Sequence, residues 1–218
     1  MDCCLICGNF FIRIMKQLAF YISILFVVVG CNSRSDFIIP LNYNNYEKEF
    51  QQGRALNEKD LKIIFSRLRD EIKRKTIGKI MPVIIIEDSL GQKIPLRKII
   101  TSKTLLLFSS ANCGWGTENL SRDMPEVLKK LETNNIKFNT VCLLTVSTND
   151  NNDPGNFNLF FKVISKIYPH TFKINDLEAR KMNVFGSPTR IMIGRDFEVL
   201  NYFDGAGLKD SIYKELSR

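Results

Sequence analysis

Hydrophobic and polar positions divide the chain into stretches of different period. Residues 18–30, LAFYISILFVVVG, are apolar or small throughout, whereas residues 32–56 are polar, Asn-rich and without a sustained period. From Asn57 the pattern becomes helical, with Leu61, Ile64, Phe65, Leu68 and Ile72 on one face, Asn57 as N-cap, and the basic run Lys73–Lys75 at the end that the helix dipole favours for cations. Beyond Gly78 short strands and helices alternate. MPVIIIED (81–88) and QKIPL (92–96) flank Ser89-Leu90-Gly91 and predict a hairpin, and TLLLFSS (104–110) is a continuous apolar run of the kind a central parallel strand shows. A helix follows over 117–133, with Leu120, Met124, Val127, Leu128 and Leu131 inward and a kink expected at Pro125. FNTVCLLTV (138–146) predicts the next strand, NDNNDPG (149–155) a loop, and Phe157, Phe160, Phe161, Ile164 and Tyr168 an amphipathic helix stopped by Pro169. A short strand over 172–174, two strands at 189–194 and 197–203 joined by Gly194-Arg195-Asp196, and a terminal helix marked by Leu208, Ile212 and Leu216 complete the plan. This is an α/β arrangement in which helices flank a mixed sheet.

The run at 18–30 is 13 residues long, too short to span a bilayer, which takes roughly 20 apolar residues. Arg13 and Lys16 before it and a small residue at its end make a secretory signal. It closes as Val28-Val29-Gly30-Cys31, which resembles the lipobox of bacterial lipoproteins. That resemblance implies that Cys31 is acylated, becomes the first residue of the mature chain, and holds the protein at a membrane of the bacterial cell envelope, facing the periplasm. The expected organisation is a signal at 1–30, a lipid-anchored tether at 31–56, an amphipathic helix at 57–77 and one α/β domain at 78–218. Met15 could start a complete signal by itself, which would make residues 1–14 an upstream extension. Cys4-Leu-Ile-Cys7 has the CxxC spacing of redox and metal sites, but no strand and helix flank it and cleavage would remove it.

Composition narrows the classes further. With 218 residues, 25% charged and 44% hydrophobic, the chain is globular rather than disordered, fibrous or multi-spanning. The net charge of +8 comes from scattered basic residues with acids beside them, as in Lys59-Asp60, so a solvated surface is expected and no nucleic-acid partner. Past Cys31 only Cys113 and Cys142 remain, enough for one bridge at most and too few for a disulfide-stapled scaffold.

The order of elements, the strand-to-cysteine junction LLLFSSANCGWG and the later Gly186-Ser187-Pro188-Thr189 before a hairpin resemble the thioredoxin fold. More narrowly, residues 78–218 are similar to the membrane-anchored thiol-disulfide reductases of the bacterial envelope, in which a strand ends in W-C-x-x-C and a later cis-proline faces the cysteines. The resemblance implies that Cys113 is the reactive cysteine, that Pro188 is the cis-proline, and that Trp115, Ser187 and Pro188 meet the substrate. Two positions depart from it: Asn112 precedes the cysteine in place of Trp, and Gly116 stands where the second cysteine belongs. A dithiol oxidoreductase needs that second thiol to attack the mixed disulfide and release its substrate, so this site cannot complete the step alone. Cys142, early in a strand parallel to 104–110, is expected to be buried and out of reach.

Three readings of Cys113 remain. As a monothiol at a helix start, where backbone N–H groups favour the thiolate, it could exchange with exported protein thiols or a small thiol. Alternatively the fold is a non-catalytic module that binds an exported partner near Trp115 and Ser187. A thiol peroxidase is the third, although the positions matching the peroxiredoxin Pro and Thr are Leu106 and Ser110, and glutathione peroxidases need a downstream Trp that this chain lacks. His170, the single histidine, with Cys113 makes too thin a ligand set for copper, so no metal and no cofactor is expected. A cysteine restored at position 116 is expected to raise dithiol activity if the scaffold has kept room for it.

Overall fold

β3 (Thr104–Ser110) is the axis of the molecule in a computed structural model, which describes residues 37–42, 44, 45, 48, 58–146, 154–205 and 209–217. Leu105, Leu106, Leu107 and Phe108 are all buried, which only a strand covered on both faces allows. Each such side chain contributes about 1.5–3 kcal/mol on leaving water. The strand alternation sends Leu106 and Phe108 into one core cluster and Leu105 and Leu107 into a second on the opposite face.

Around β3 the sheet has seven strands in the order β2-β1-β5-β4-β3-β6-β7. The hairpin β1 (Ile85–Glu87) and β2 (Lys93–Pro95) forms one edge and joins β5 (Thr171–Asn175) antiparallel. β4 (Asn139–Val146) runs parallel to both β3 and β5, and β6 (Thr189–Ile193) and β7 (Val199–Asp204) close the other edge antiparallel. This is the thioredoxin-like mixed sheet that the order of sequence elements implied. The helices are α1 (Glu58–Thr76), α2 (Gly114–Glu118), α3 (Met124–Thr133), α4 (Pro154–Ile167), α5 (Asp176–Arg180) and α6 (Lys209–Leu216). Among the described residues no helix is long and apolar enough to cross a membrane.

Several boundaries differ from the expected ones for local reasons. The helix placed at 117–133 begins at Gly114, and a π turn at Asn119–Asp123 separates α2 from α3. Pro125 sits at the first turn of α3, where its missing N–H costs nothing, and the wider turn before it takes up the distortion expected as a kink. The last strand starts at Val199 rather than Phe197, because Phe197 adopts φ 68° in the turn after Gly194. α5 carries no periodic signal at five residues.

Within the segment read as a tether, residues 37–41 contribute to the core. Ile38 and Leu41 are buried, Phe37 forms a bridge to Ile80, and Ile38 N donates to Ile80 O at 3.0 Å. Five residues, Phe37 to Leu41, are too few to show a period, so their burial was not legible from the pattern. Asn183 holds this segment in place from a fully buried position: it accepts from Leu41 N at 2.8 Å and donates to Thr76 Oγ1 at 2.9 Å and Ile39 O at 3.2 Å. Its φ of 57° is one that Asn tolerates better than most residues. Asn183→Ala should therefore destabilise the protein by about 2–4 kcal/mol in urea unfolding, since it strands buried backbone groups. A change below about 0.5 kcal/mol would show that the segment is not held through this residue.

The Cys31 site, the signal, the Cys4–Cys7 motif, the Asn57 cap, Leu208 and most of the 149–155 loop lie outside the described residues.

Candidate functional site

The end of β3 changes from apolar to polar at Ser109 and Ser110, and there the chain turns. Cys113 N donates to Ser110 O at 3.1 Å and Asn112 N to Ser110 Oγ at 3.3 Å, which fixes a tight turn at the carboxyl end of the strand. Cys113 then caps α2 in an extended conformation, φ −103° and ψ 102°, and its carbonyl accepts from Thr117 N at 2.9 Å and Thr117 Oγ1 at 3.1 Å. The cysteine is thus held on both sides by backbone, with a partly exposed thiol.

A second loop arrives from the start of β6. The Ser187–Pro188 peptide is cis, and the turn is closed by Thr189 Oγ1 donating to Gly186 O at 2.8 Å. It places Ser187 O 3.3 Å from Cys113 Sγ, so the thiol donates to that carbonyl. Pro188 itself is buried, whereas Trp115 is 71% exposed on the helix beside the cysteine. Cys113 and Ser187 are therefore in direct contact, with Pro188 shaping the loop that brings them together.

The Ser187 hydroxyl points the other way, beneath the helix. Its Oγ accepts from Ser110 N at 3.1 Å and pairs with Ser109 Oγ at 3.1 Å. Gly116 is buried directly over these two hydroxyls. A Cβ at position 116 would lie closer to Ser187 Oγ and Ser109 Oγ than real Cβ contacts come, and the next atom, Cys113 Cβ, would be 3.6 Å away. The condition attached to restoring a cysteine at 116, that the scaffold has kept room for it, is not met in this geometry: a pair of hydroxyls lies in the space. Sequence reading missed Ser109 and weighed Ser110 only as the position matching the peroxiredoxin Thr, although two serines ending an apolar strand just before the cysteine were a visible signal.

Cys142 belongs to a different environment. It is fully buried in the second core cluster, and burial pushes its thiol well above the usual cysteine range. Its strand neighbour is Leu107, three pairs before Ser110↔Thr145, so it lies about 10 Å back along the sheet from the end of β3 at ~3.3 Å per residue. A disulfide requires Cα atoms within ~7 Å. His170 precedes β5 at its amino end, opposite the end that carries Cys113, and its carbonyl accepts from Cys142 N at 2.8 Å. Among the described residues no group of three His, Cys, Asp or Glu side chains could hold a metal ion. The site thus offers one accessible thiol with a carbonyl beside it, and among the described residues no second thiol within reach.

No protein-family model matches the sequence, and no curated protein does. Solved structures similar in shape include the exposed lipoprotein thioredoxin of Streptococcus pneumoniae, at 17% identity and TM-score 0.45 over 62% of this chain and 98% of that one. The thioredoxin domain of a thiol-disulfide oxidoreductase from Bacteroides vulgatus matches at 14% identity and TM-score 0.45, over 65% of this chain and 98% of that one. Copper-bound ScoI of Arabidopsis thaliana matches at 11% identity and TM-score 0.48, over 62% of this chain and 94% of that one.

Proposed function

We propose that the protein is a lipid-anchored thiol-disulfide exchange protein of the bacterial cell envelope that works with a single thiol, Cys113. The observation that carries this reading is the pairing of a backbone-held, partly exposed Cys113 with the Ser187 carbonyl 3.3 Å from its sulfur, at a site where position 116 has no thiol and Cys142 is sealed in the core. In the forward step the Cys113 thiolate attacks one sulfur of a disulfide R–S–S–R. The S–S bond breaks, Cys113–S–S–R forms, and R–S⁻ leaves and takes a proton from solvent. An external thiolate R′–S⁻ then attacks the R sulfur of the mixed disulfide, releasing R–S–S–R′ and the Cys113 thiolate. Substrates are thiols and disulfides of exported proteins or small molecules, and the lipid on Cys31 keeps the domain at the membrane.

The exposed Trp115 supports a second reading, a module that binds an exported protein without turnover. The rate at which Cys113 forms a mixed disulfide, measured in the folded chain and in the same chain in denaturant with a common correction for solvent, separates the two. Exchange chemistry predicts that the folded site reacts about tenfold faster or more, because the Ser110 turn and the Ser187 carbonyl hold Cys113 in place for an incoming disulfide. Equal or slower reaction in the folded chain would leave the binding module. The anchor is tested separately by the mass of the N-terminal peptide from the native host, where an unacylated Cys31 or an intact 1–30 segment would remove it.

A further inference from the structure

The carboxyl ends of β3, β4 and β5 all point to one rim of the sheet, and a cavity of about 280 Å³ opens there beside the Cys113 turn. Crevices outside the carboxyl ends of parallel strands are where α/β sheets bind ligands. This one shares Ser110 and Ser187 with the cysteine site: Ser110 O holds Cys113 N, and Ser187 O receives the Cys113 thiol. A group attached to Cys113 Sγ therefore starts one residue from the cavity wall. The volume lies just below the ~300–1,000 Å³ typical of small-molecule sites, which suits a ligand the size of an amino acid.

The chemistry of the wall is specific. Thr145 and Ser110 bring side-chain hydroxyls, Phe185 an aromatic ring, and α5 brings both a carboxylate, Asp176, and a guanidinium, Arg180. These two stand four residues apart on one helical turn, the spacing at which opposite charges usually pair. Here they form no ion pair with each other, and neither has another ion-pair partner among the described residues. A half-buried anion and an exposed cation, both lining one small cavity and both unneutralised, are complementary to a ligand carrying an ammonium and a carboxylate on neighbouring atoms.

We propose that this cavity selects the small thiol that exchanges with Cys113, and that the class it takes is an amino-acid thiol in zwitterionic form, as in cystine. The inference rests on the single-thiol reading above. In the mixed disulfide the half-cystine ammonium faces Asp176, its carboxylate faces Arg180, and its sulfur remains bonded to Cys113 Sγ. The thiolate of Cys113 forms that bond as the S–S bond of cystine breaks, and free cysteine leaves as its thiolate and is protonated by solvent.

Four symmetric disulfides of graded charge test it: cystine, cystamine, 3,3′-dithiodipropionate and bis(2-hydroxyethyl) disulfide. Each rate of adduct formation at Cys113 is divided by the rate of the same disulfide with a short cysteine peptide, which removes intrinsic reactivity. Cystine should then exceed the neutral disulfide by about tenfold, with the two disulfides that carry charge of one sign only between them. Arg180→Gln should lower the ratio for cystine and dithiodipropionate at least threefold but not that for cystamine. Asp176→Asn should do so for cystine and cystamine but not for dithiodipropionate, a charge-selective pattern that misfolding would not produce. Equal normalised rates for all four disulfides would overturn the cavity's role while leaving exchange at Cys113 intact. No reaction of Cys113 with any of them would remove the single-thiol reading as well.

Discussion

Gly116→Cys alone is expected to give little or no dithiol reductase activity and to destabilise the protein, whereas the same change combined with Ser109→Ala and Ser187→Ala should relieve the overlap and raise that activity. The reason is geometric. The new Cβ would overlap Ser187 Oγ and Ser109 Oγ, and both hydroxyls are engaged, with each other at 3.1 Å and with Ser110 N at 3.1 Å. Rotating them away gives up bonds worth about 1 kcal/mol each, and not rotating them forces the start of α2 outward, so a loss of about 1–3 kcal/mol is expected either way. With both hydroxyls removed, the nearest remaining atom to that Cβ is Cys113 Cβ at 3.6 Å, an ordinary contact. Insulin reduction and urea unfolding, run side by side on the single and triple variants, check this. A fully active and stable Gly116→Cys single variant would mean that the hydroxyl pair does not occupy the position as described.

Cys113→Ser should lower turnover of a glutathione mixed disulfide to the uncatalysed rate, and Cys142→Ser should leave turnover unchanged. The contrast follows from where the two sulfurs sit. The Cys113 thiol is partly exposed at the carboxyl end of β3, while Cys142 is enclosed among Leu105, Leu107 and Leu144 with its thiol held protonated by burial. Replacing Cys142 with serine does put a hydroxyl into an apolar cluster, so a loss of stability of about 1–3 kcal/mol is expected there without a loss of rate. Parent-like turnover in Cys113→Ser would remove the enzymatic reading and leave the module that binds near Trp115.

The parts of this arrangement that were legible in the sequence are those with strong one-dimensional signals. The apolar run before Ser109, the parallel strand bearing Cys142, the helical spacing from Leu61 to Ile72 and the Gly-Ser-Pro-Thr loop each announced their element, and together they implied the thioredoxin-like sheet. The fate of position 116 was not legible, because it depends on Ser109 and Ser187, which are 78 residues apart and meet only when β3 and β6 pair. The same holds for Asn183, whose partners Leu41 and Thr76 lie far away in sequence, and for Asp176 and Arg180, whose short helix has no period to read. Arg190 is another such case: it is buried on β6 and met by Gly205 O at 3.2 Å and Glu215 Oε2 at 3.6 Å, although an isolated arginine in a strand reads as solvent-facing. Periodicity finds elements, whereas the contacts that define this site arise between elements.

The claim that one thiol does the chemistry is tested most directly by peptide mapping of the protein after oxidation with glutathione disulfide and without reduction. Cys113 is expected to carry one glutathione and Cys142 to stay unmodified, and the Cys113 adduct should disappear when an external thiol is added. A peptide pair cross-linked through Cys113 and Cys142, or a Cys113 left unmodified by the oxidant, would contradict it.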